Sequence, residues 1–294
     1  MKKISILAAL AATLLLAGCF HEFHELDPSD NTGYAVPVLQ WENAIDAGTD
    51  IHDLAVVLNG PGVSYTKRYA NPGEFAGEPL VLPAGEYNIL VLANVSEADG
   101  YQVSGLPATK AGTLGPISVS LTGKPRNQAW FCPSAFTIEQ NAVNIAEASL
   151  QRLLTTLTLE FTNVPAGSVL NITLTGVASS IILNKKDAGG HYGVPGTEGS
   201  SYVLGTLTGN GRQLFYCFPT ISGQSRVILS IEVTPPGEPP YTCVCEVPAL
   251  ATGKEYTLSL DYDQLSTYMY VTANTINEWT EGWTISGEIL NPQQ

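Results

Sequence analysis

Leu153-Leu-Thr-Thr-Leu-Thr-Leu-Glu-Phe161 decides the fold class of this chain. Leu153, Leu157, Leu159 and Phe161 fall on one side of a period of two, and Thr156, Thr158 and Glu160 fall on the other. That alternation makes a strand with one dry face and one wet face. Downstream, Leu170, Ile172 and Leu174 alternate with Asn171, Thr173 and Thr175, and Val227, Leu229, Ile231 and Val233 alternate with mostly polar partners. Upstream, Tyr87-Asn-Ile-Leu-Val-Leu-Ala93 is apolar on both alternations, as expected of a strand buried on both sides.

Turn residues separate these runs. Asn59-Gly-Pro-Gly62 breaks Leu54–Leu58 from Val63–Tyr69 in a hairpin-like signal. Thr208-Gly-Asn-Gly211 separates Leu204–Leu207 from Leu214–Phe218 and reads as a second hairpin. Pro235–Pro240 ends a strand firmly, because proline cannot serve a central ladder. Asn184–Ser200, rich in glycine and charge, reads as a loop, and Ile138–Ala148 as one short connecting helix. Turn signals every 8 to 12 residues or so indicate an all-β chain of antiparallel sandwiches. No sequence repeat of fixed period marks a solenoid or propeller.

Before these strands stands Lys2-Lys3, an uncharged run from Ile4 to Leu16, and Leu16-Ala-Gly-Cys19. The run has the length of a signal-peptide apolar region and falls short of the roughly 20 residues that span a bilayer. The pattern resembles the lipobox of a bacterial lipoprotein, in which the thiol of Cys19 takes a diacylglycerol and the chain is cut before it. Two or three acyl chains exceed the marginal membrane binding of one. The reading divides the chain into a signal peptide (1–18), a lipidated tether (19–31), an N-terminal β-sandwich with connector (32–149) and a C-terminal β-sandwich (150–294).

The chain has 294 residues and a formal charge of −14. Loss of Lys2 and Lys3 makes it −16. Nothing here gives the basic footprint that nucleic acid requires, and an anionic lipid surface would repel the protein, so the acyl group must do the anchoring. Besides Cys19 there are Cys132, Cys217, Cys243 and Cys245. Cys243 and Cys245, two apart on a strand, point the same way with Cα atoms about 6.6 Å apart, near the upper limit for a bridge. The other pairings and four buried free thiols stay open.

Catalytic and metal-binding patterns fail on spacing. His21-Glu-Phe-His24-Glu25 misses H-E-x-x-H by one position. Gly223-Gln-Ser225-Arg-Val227 lacks the second glycine of a nucleophile elbow. Gly209-Asn-Gly211 lacks the third glycine of a dinucleotide loop. Cys243-x-Cys245 has no histidine near it in sequence, and the pairs Asp27/Asp30 and Asp261/Asp263 read as a turn and a solvent-facing strand. No enzyme, metal or cofactor is expected. Trp41, Trp130, Trp279 and Trp283 offer the alternative of a surface glycan-binding lipoprotein with an aromatic platform; packing in a sandwich is the plainer role for them.

Several blocks together resemble the fimbrillin superfamily of Bacteroidales, most closely its lipid-anchored anchor and accessory subunits. They are the lipobox with its acidic tether, LAVVLNGPG (54–62), GEPLVLPAGEYNILVLAN (77–94), LQRLLTTLTLEF (150–161) and INEWTEGWTISGEIL (276–290). Glu22 and Glu25 loosely resemble the acidic export signal of surface lipoproteins in that phylum. The resemblance implies two transthyretin-like β-sandwiches, adhesion at the cell surface, outer-membrane anchoring through Cys19, and assembly with other fimbrial subunits by strand exchange. In stalk-type members, a trypsin-like cut removes an N-terminal strand. Here no Lys or Arg lies between Cys19 and Thr66, where about two would be expected from 11 in the 276-residue mature chain. The first are Lys67 and Arg68, inside a predicted strand pair, which favours an anchor over a stalk subunit.

Overall fold

The computed structural model describes residues 31–42, 50–107, 114–123, 125, 127–265, 268–271, 283–285 and 289–290, the last three segments by backbone alone. Cys19, His21, His24, Asp27, Asp30 and Trp279 lie outside the described residues.

The chain is nearly all β. Its first part forms β1 (Thr32–Trp41), β2 (Leu54–Gly60), β3 (Val63–Tyr69), the one-turn helix α1 (Pro72–Ala76), β4 (Leu80–Pro83), β5 (Gly85–Ala93), β6 (Tyr101–Ser104), β7 (Ser118–Leu121), β8 (Trp130–Ile138) and β9 (Val143–Arg152). Seven of these strands make one sheet in the order β3-β2-β5-β8-β9-β1-β4. β8 and β9 pair only at Trp130↔Arg152 and Phe131↔Gln151. Beyond that corner no further ladder pair joins them. The two arms close on a first core containing Leu54, Val56, Tyr87, Val91, Ala146 and Ala148, with Phe75 of α1 fully buried in it. Each fully buried side chain of this size contributes about 1.5–3 kcal/mol relative to exposure.

The second part forms β10 (Thr155–Thr162), β11 (Val169–Ala178), β12 (Ser180–Lys186), β13 (Tyr192–Pro195), β14 (Gly199–Leu207), β15 (Gly211–Cys217), β16 (Arg226–Thr234), β17 (Tyr241–Pro248), β18 (Glu255–Asp261), β19 (Tyr268–Val271), β20 (Trp283–Ile285) and β21 (Ile289–Leu290). A four-stranded sheet, β15-β10-β18-β20, faces a six-stranded one, β14-β11-β16-β17-β19-β21. Leu157, Leu159 and Phe161 of β10 meet Ile172, Leu174, Leu229 and Ile231 between them. This is the predicted dry face for Leu157, Leu159 and Phe161; Leu153 packs in a separate cluster, and Thr156 and Thr158, expected on a wet face, are buried as well. Most pairings are antiparallel; β1–β9, β10–β18, β17–β19 and β18–β20 are parallel.

A fourth sheet, β13-β12-β7-β6, joins strands from both parts of the chain. Its Val119, Ile181 and Leu183 pack on the outer face of the β2-β5-β8 arm against Val57, Leu90, Leu92 and Phe131. β5 is therefore covered on both faces, as its apolar run requires.

Three local expectations are corrected. Ile138–Ala148 is not helical: it ends β8 and runs into β9, whose Ala146, Ala148 and Leu150 point inward while Val143, Ile145 and Glu147 point out. Pairing with β1 overrides the helix preference of its Ala and Glu. Asn184–Ser200 is not a plain loop, since it contains the end of β12, all of β13 and the start of β14. The runs flanking Thr208–Gly211 do not form a hairpin. β14 pairs with β11 and β15 with β10, so the turn carries the chain between facing sheets.

Candidate functional site

The sequence points to sheet strands, not reactive side chains, so the setting of β1 matters most. The Tyr34 N–H donates to the Ala142 carbonyl and the Glu42 N–H to the Leu150 carbonyl, both at 2.9 Å. Even-numbered amides of β1 therefore face β9, and odd-numbered ones face β4. β9 pairs along Tyr34–Trp41, whereas β4 covers only Thr32–Ala35. Pro37, a buried residue, falls just past β4 on that side, where its missing N–H interrupts no bond to β4. Gly33 lets β1 lie close to the 139–142 turn: a Cβ there would sit 2.2 Å from the Glu139 carbonyl oxygen.

Lys67 and Arg68 lie within β3, paired to Val56 and Ala55 of β2. Lys67 Nζ bonds both carboxylate oxygens of Glu78, and Arg68 Nη1 reaches the Asp53 oxygens at 2.7 and 2.8 Å. The first basic residues after Cys19 are thus held in a hydrogen-bonded strand and by carboxylates, a poor substrate for a protease that needs an extended, unpaired segment.

The polar clusters serve structure. His52 Nε2 lies 3.1 and 3.2 Å from the two oxygens of buried Asp99, and Ser96 Oγ donates to the same carboxylate at 2.6 Å. With the carboxylate between histidine and serine, the histidine has no serine proton to take. The His52 backbone N–H donates to Asn94 Oδ1, and Asn94 Nδ2 donates to the Asp50 carbonyl, closing a brace between two loops. Asp261 Oδ1 accepts from the Asp263 N–H and from Asn163 Nδ2, which makes it a turn cap. Among the described residues no cluster of three metal-ligating side chains occurs.

Cys132, Cys217, Cys243 and Cys245 are buried and free. Cys243 and Cys245 face the same way into the C-terminal core, as their spacing predicts. Burial pushes the thiols of Cys217 and Cys245 up to about 12, and those of Cys132 and Cys243 up to about 11.

Trp130 is no platform: it is 3 % exposed and packs edge to face on Trp41, ring centroids 5.5 Å apart. The described residues border an open cleft of about 860 Å3, with Arg152, Asp187, His191, Tyr192 and Lys254 on its walls. Two of its charges are engaged: Arg152 bonds Glu255, and Asp187 accepts from the backbone N–H groups of Gly189 and His191. The His191 N–H holds the Asp187 carboxyl below the usual carboxylate range.

No family model and no curated protein matches the chain. Solved structures do. A candidate adhesin from Bacteroides ovatus superposes with a TM-score of 0.52 at 11 % identity, covering 92 % of this chain and 100 % of that one. A candidate cell adhesion protein from Bacteroides eggerthii gives 0.53 at 14 % identity, covering 81 % and 88 %. The chain shares the fold of these proteins. The fimbrial anchor protein Mfa2 from Porphyromonas gingivalis is a more distant match, with a TM-score of 0.44 at 13 % identity, covering 68 % of this chain and 78 % of that one. At such identity the backbone path is common and individual side chains are not, so no residue role passes from those proteins to this one.

Proposed function

We propose that the protein is a lipid-anchored structural subunit of a cell-surface fimbria, an anchor or accessory subunit. It is held in the outer membrane through acylated Cys19, joins other fimbrial subunits by β-strand exchange, and supports adhesion. The observation that carries this reading is the pairing of the first strand together with the absence of a basic residue ahead of it. β1 is stitched to β9 along most of its length and to β4 at its start, and no Lys or Arg separates it from Cys19. A subunit that keeps β1 keeps its lipid, and can cap the base of a fibre without extending it. The fold shared with candidate adhesins over 81–92 % of the chain supports the broader role. In strand exchange, backbone hydrogen bonds would supply affinity and alternate side chains the fit. The test is Cys19→Ser in the source bacterium. The expected result is soluble protein and fibres released into the medium; retention of both at the cell surface would contradict the anchor role.

A further inference from the structure

The outward face of β9-β1-β4 differs from the other outward sheet faces. Register places Tyr34 between Val81 and Val143 in one row, and Val36 beside Ile145 in the next. Val81, Val143 and Ile145 are 56 %, 58 % and 61 % exposed. Glu147, opposite Val38, is the one charge that register adds to these rows. The six-stranded C-terminal sheet instead turns Asn171, Thr173 and Thr175 outward, and the four-stranded one has Thr156 and Thr158 buried on that side, with half-buried Glu160 beyond them. Their exposed Val203, Leu214 and Ile228 have Thr173, Thr158, and Thr175 with Glu246, as register partners, and Tyr241 is less exposed, at 37 %.

This apolar face is carried by the strand that leads back to Cys19. Thr32 lies 13 positions along the chain from Cys19, so the start of this strand cannot stand further from the acylated residue than about 45 Å. Three strands and two rows span roughly 10 by 7 Å between Cα positions, far short of the roughly 800 Å2 per partner of a stable protein complex. A contact too small to hold a free partner still forms when a tether makes it intramolecular. We infer that this face rests on the lipid surface that holds the acyl group, so that the first sandwich lies against the membrane with Val36, Val143 and Ile145 at the headgroup boundary. The inference rests on the proposed acylation, and the chain's negative charge restricts the contact to lipid without net negative charge.

The test replaces native acylation by a defined tether. The full mature chain, with a hexahistidine in place of Cys19, is held on phosphatidylcholine vesicles containing nickel-chelating lipid. An environment-sensitive fluorophore is placed at I145C, with V203C as an equally apolar, exposed control. Emission at 145 should rise severalfold and shift to the blue on tethering, while 203 stays as in solution, and V143D should abolish the change. Equal emission at the two sites, with or without vesicles, overturns the inference. So does a dimer in sedimentation of the untethered chain that V143D dissolves, because a second copy would then be the occupant. Because the tether is synthetic, an unacylated native N-terminus would sink the anchor reading without altering this result.

Discussion

Truncating Leu183 to alanine should loosen the first sandwich, although the residue lies in the second part of the chain. Leu183 belongs to β12 and is 0 % exposed. It packs in one cluster with Val57, Leu90, Leu92 and Phe131 of the β2-β5-β8 arm. A buried leucine-to-alanine change costs about 2–5 kcal/mol, transfer and cavity together. At about 1.4 kcal/mol per factor of ten, amides of β2, β5 and β8 that exchange through opening of this core should exchange roughly 30- to 4,000-fold faster. Hydrogen exchange read by peptide mass gives the answer strand by strand. Acceleration in β10, β11 and β16 alone, with β2, β5 and β8 unchanged, would refute the claim that β12 belongs to the first part's core.

In the soluble Cys19→Ser form, a thiol reagent should find no fast-reacting cysteine in the native protein and four after guanidinium unfolding; two missing thiols would mean a disulfide. Burial raises Cys217 and Cys245 from 9.0 to about 12, so above pH 9 the unfolded chain releases thiol protons that the folded chain keeps. Their contribution to stability is therefore intact below pH 9 and lost as pH rises from there toward 12. The denaturant midpoint should fall between pH 8 and pH 10.5, and fall less in Cys217→Ala/Cys245→Ala. Gly33→Ala forces a methyl to within 2.2 Å of the Glu139 carbonyl and should cost about 1–3 kcal/mol, seen as a lowered melting temperature; an unchanged value would mean that β1 is less tightly seated than its pairing indicates.

Local pattern was legible where one strand carried its own signal. The alternation of Leu157, Leu159 and Phe161 against Thr156, Thr158 and Glu160 gave β10 its dry face, and the two-sided apolar run of β5 announced cover on both faces. Pairing between distant segments was not legible. β9 looked helical because its Ala and Glu residues tolerate either state, and its partner β1 lies about a hundred residues earlier. The β12–β13 strands were hidden in a glycine-rich stretch. Gly193, at φ 86°, is needed there because a Cβ would meet the Phe131 ring at 2.7 Å, a contact between the two parts of the chain. The absence of Lys and Arg between Cys19 and Thr66 could be read directly, but that Pro37 interrupts no ladder bond of β1 required the direction of each amide. The apolar outer face escaped notice because Tyr34, Val81 and Ile145 come together only through register.

Isolation of the native protein from the envelope of its source cells, with mass analysis of its first peptide, tests the central claim most directly. The account predicts a chain that begins at an acylated Cys19, keeps β1 uncut, and brings a heat-resistant ladder of other subunits with it. A chain starting beyond Trp41, or one that begins at an unmodified residue and comes away alone from fimbriated cells, would contradict it.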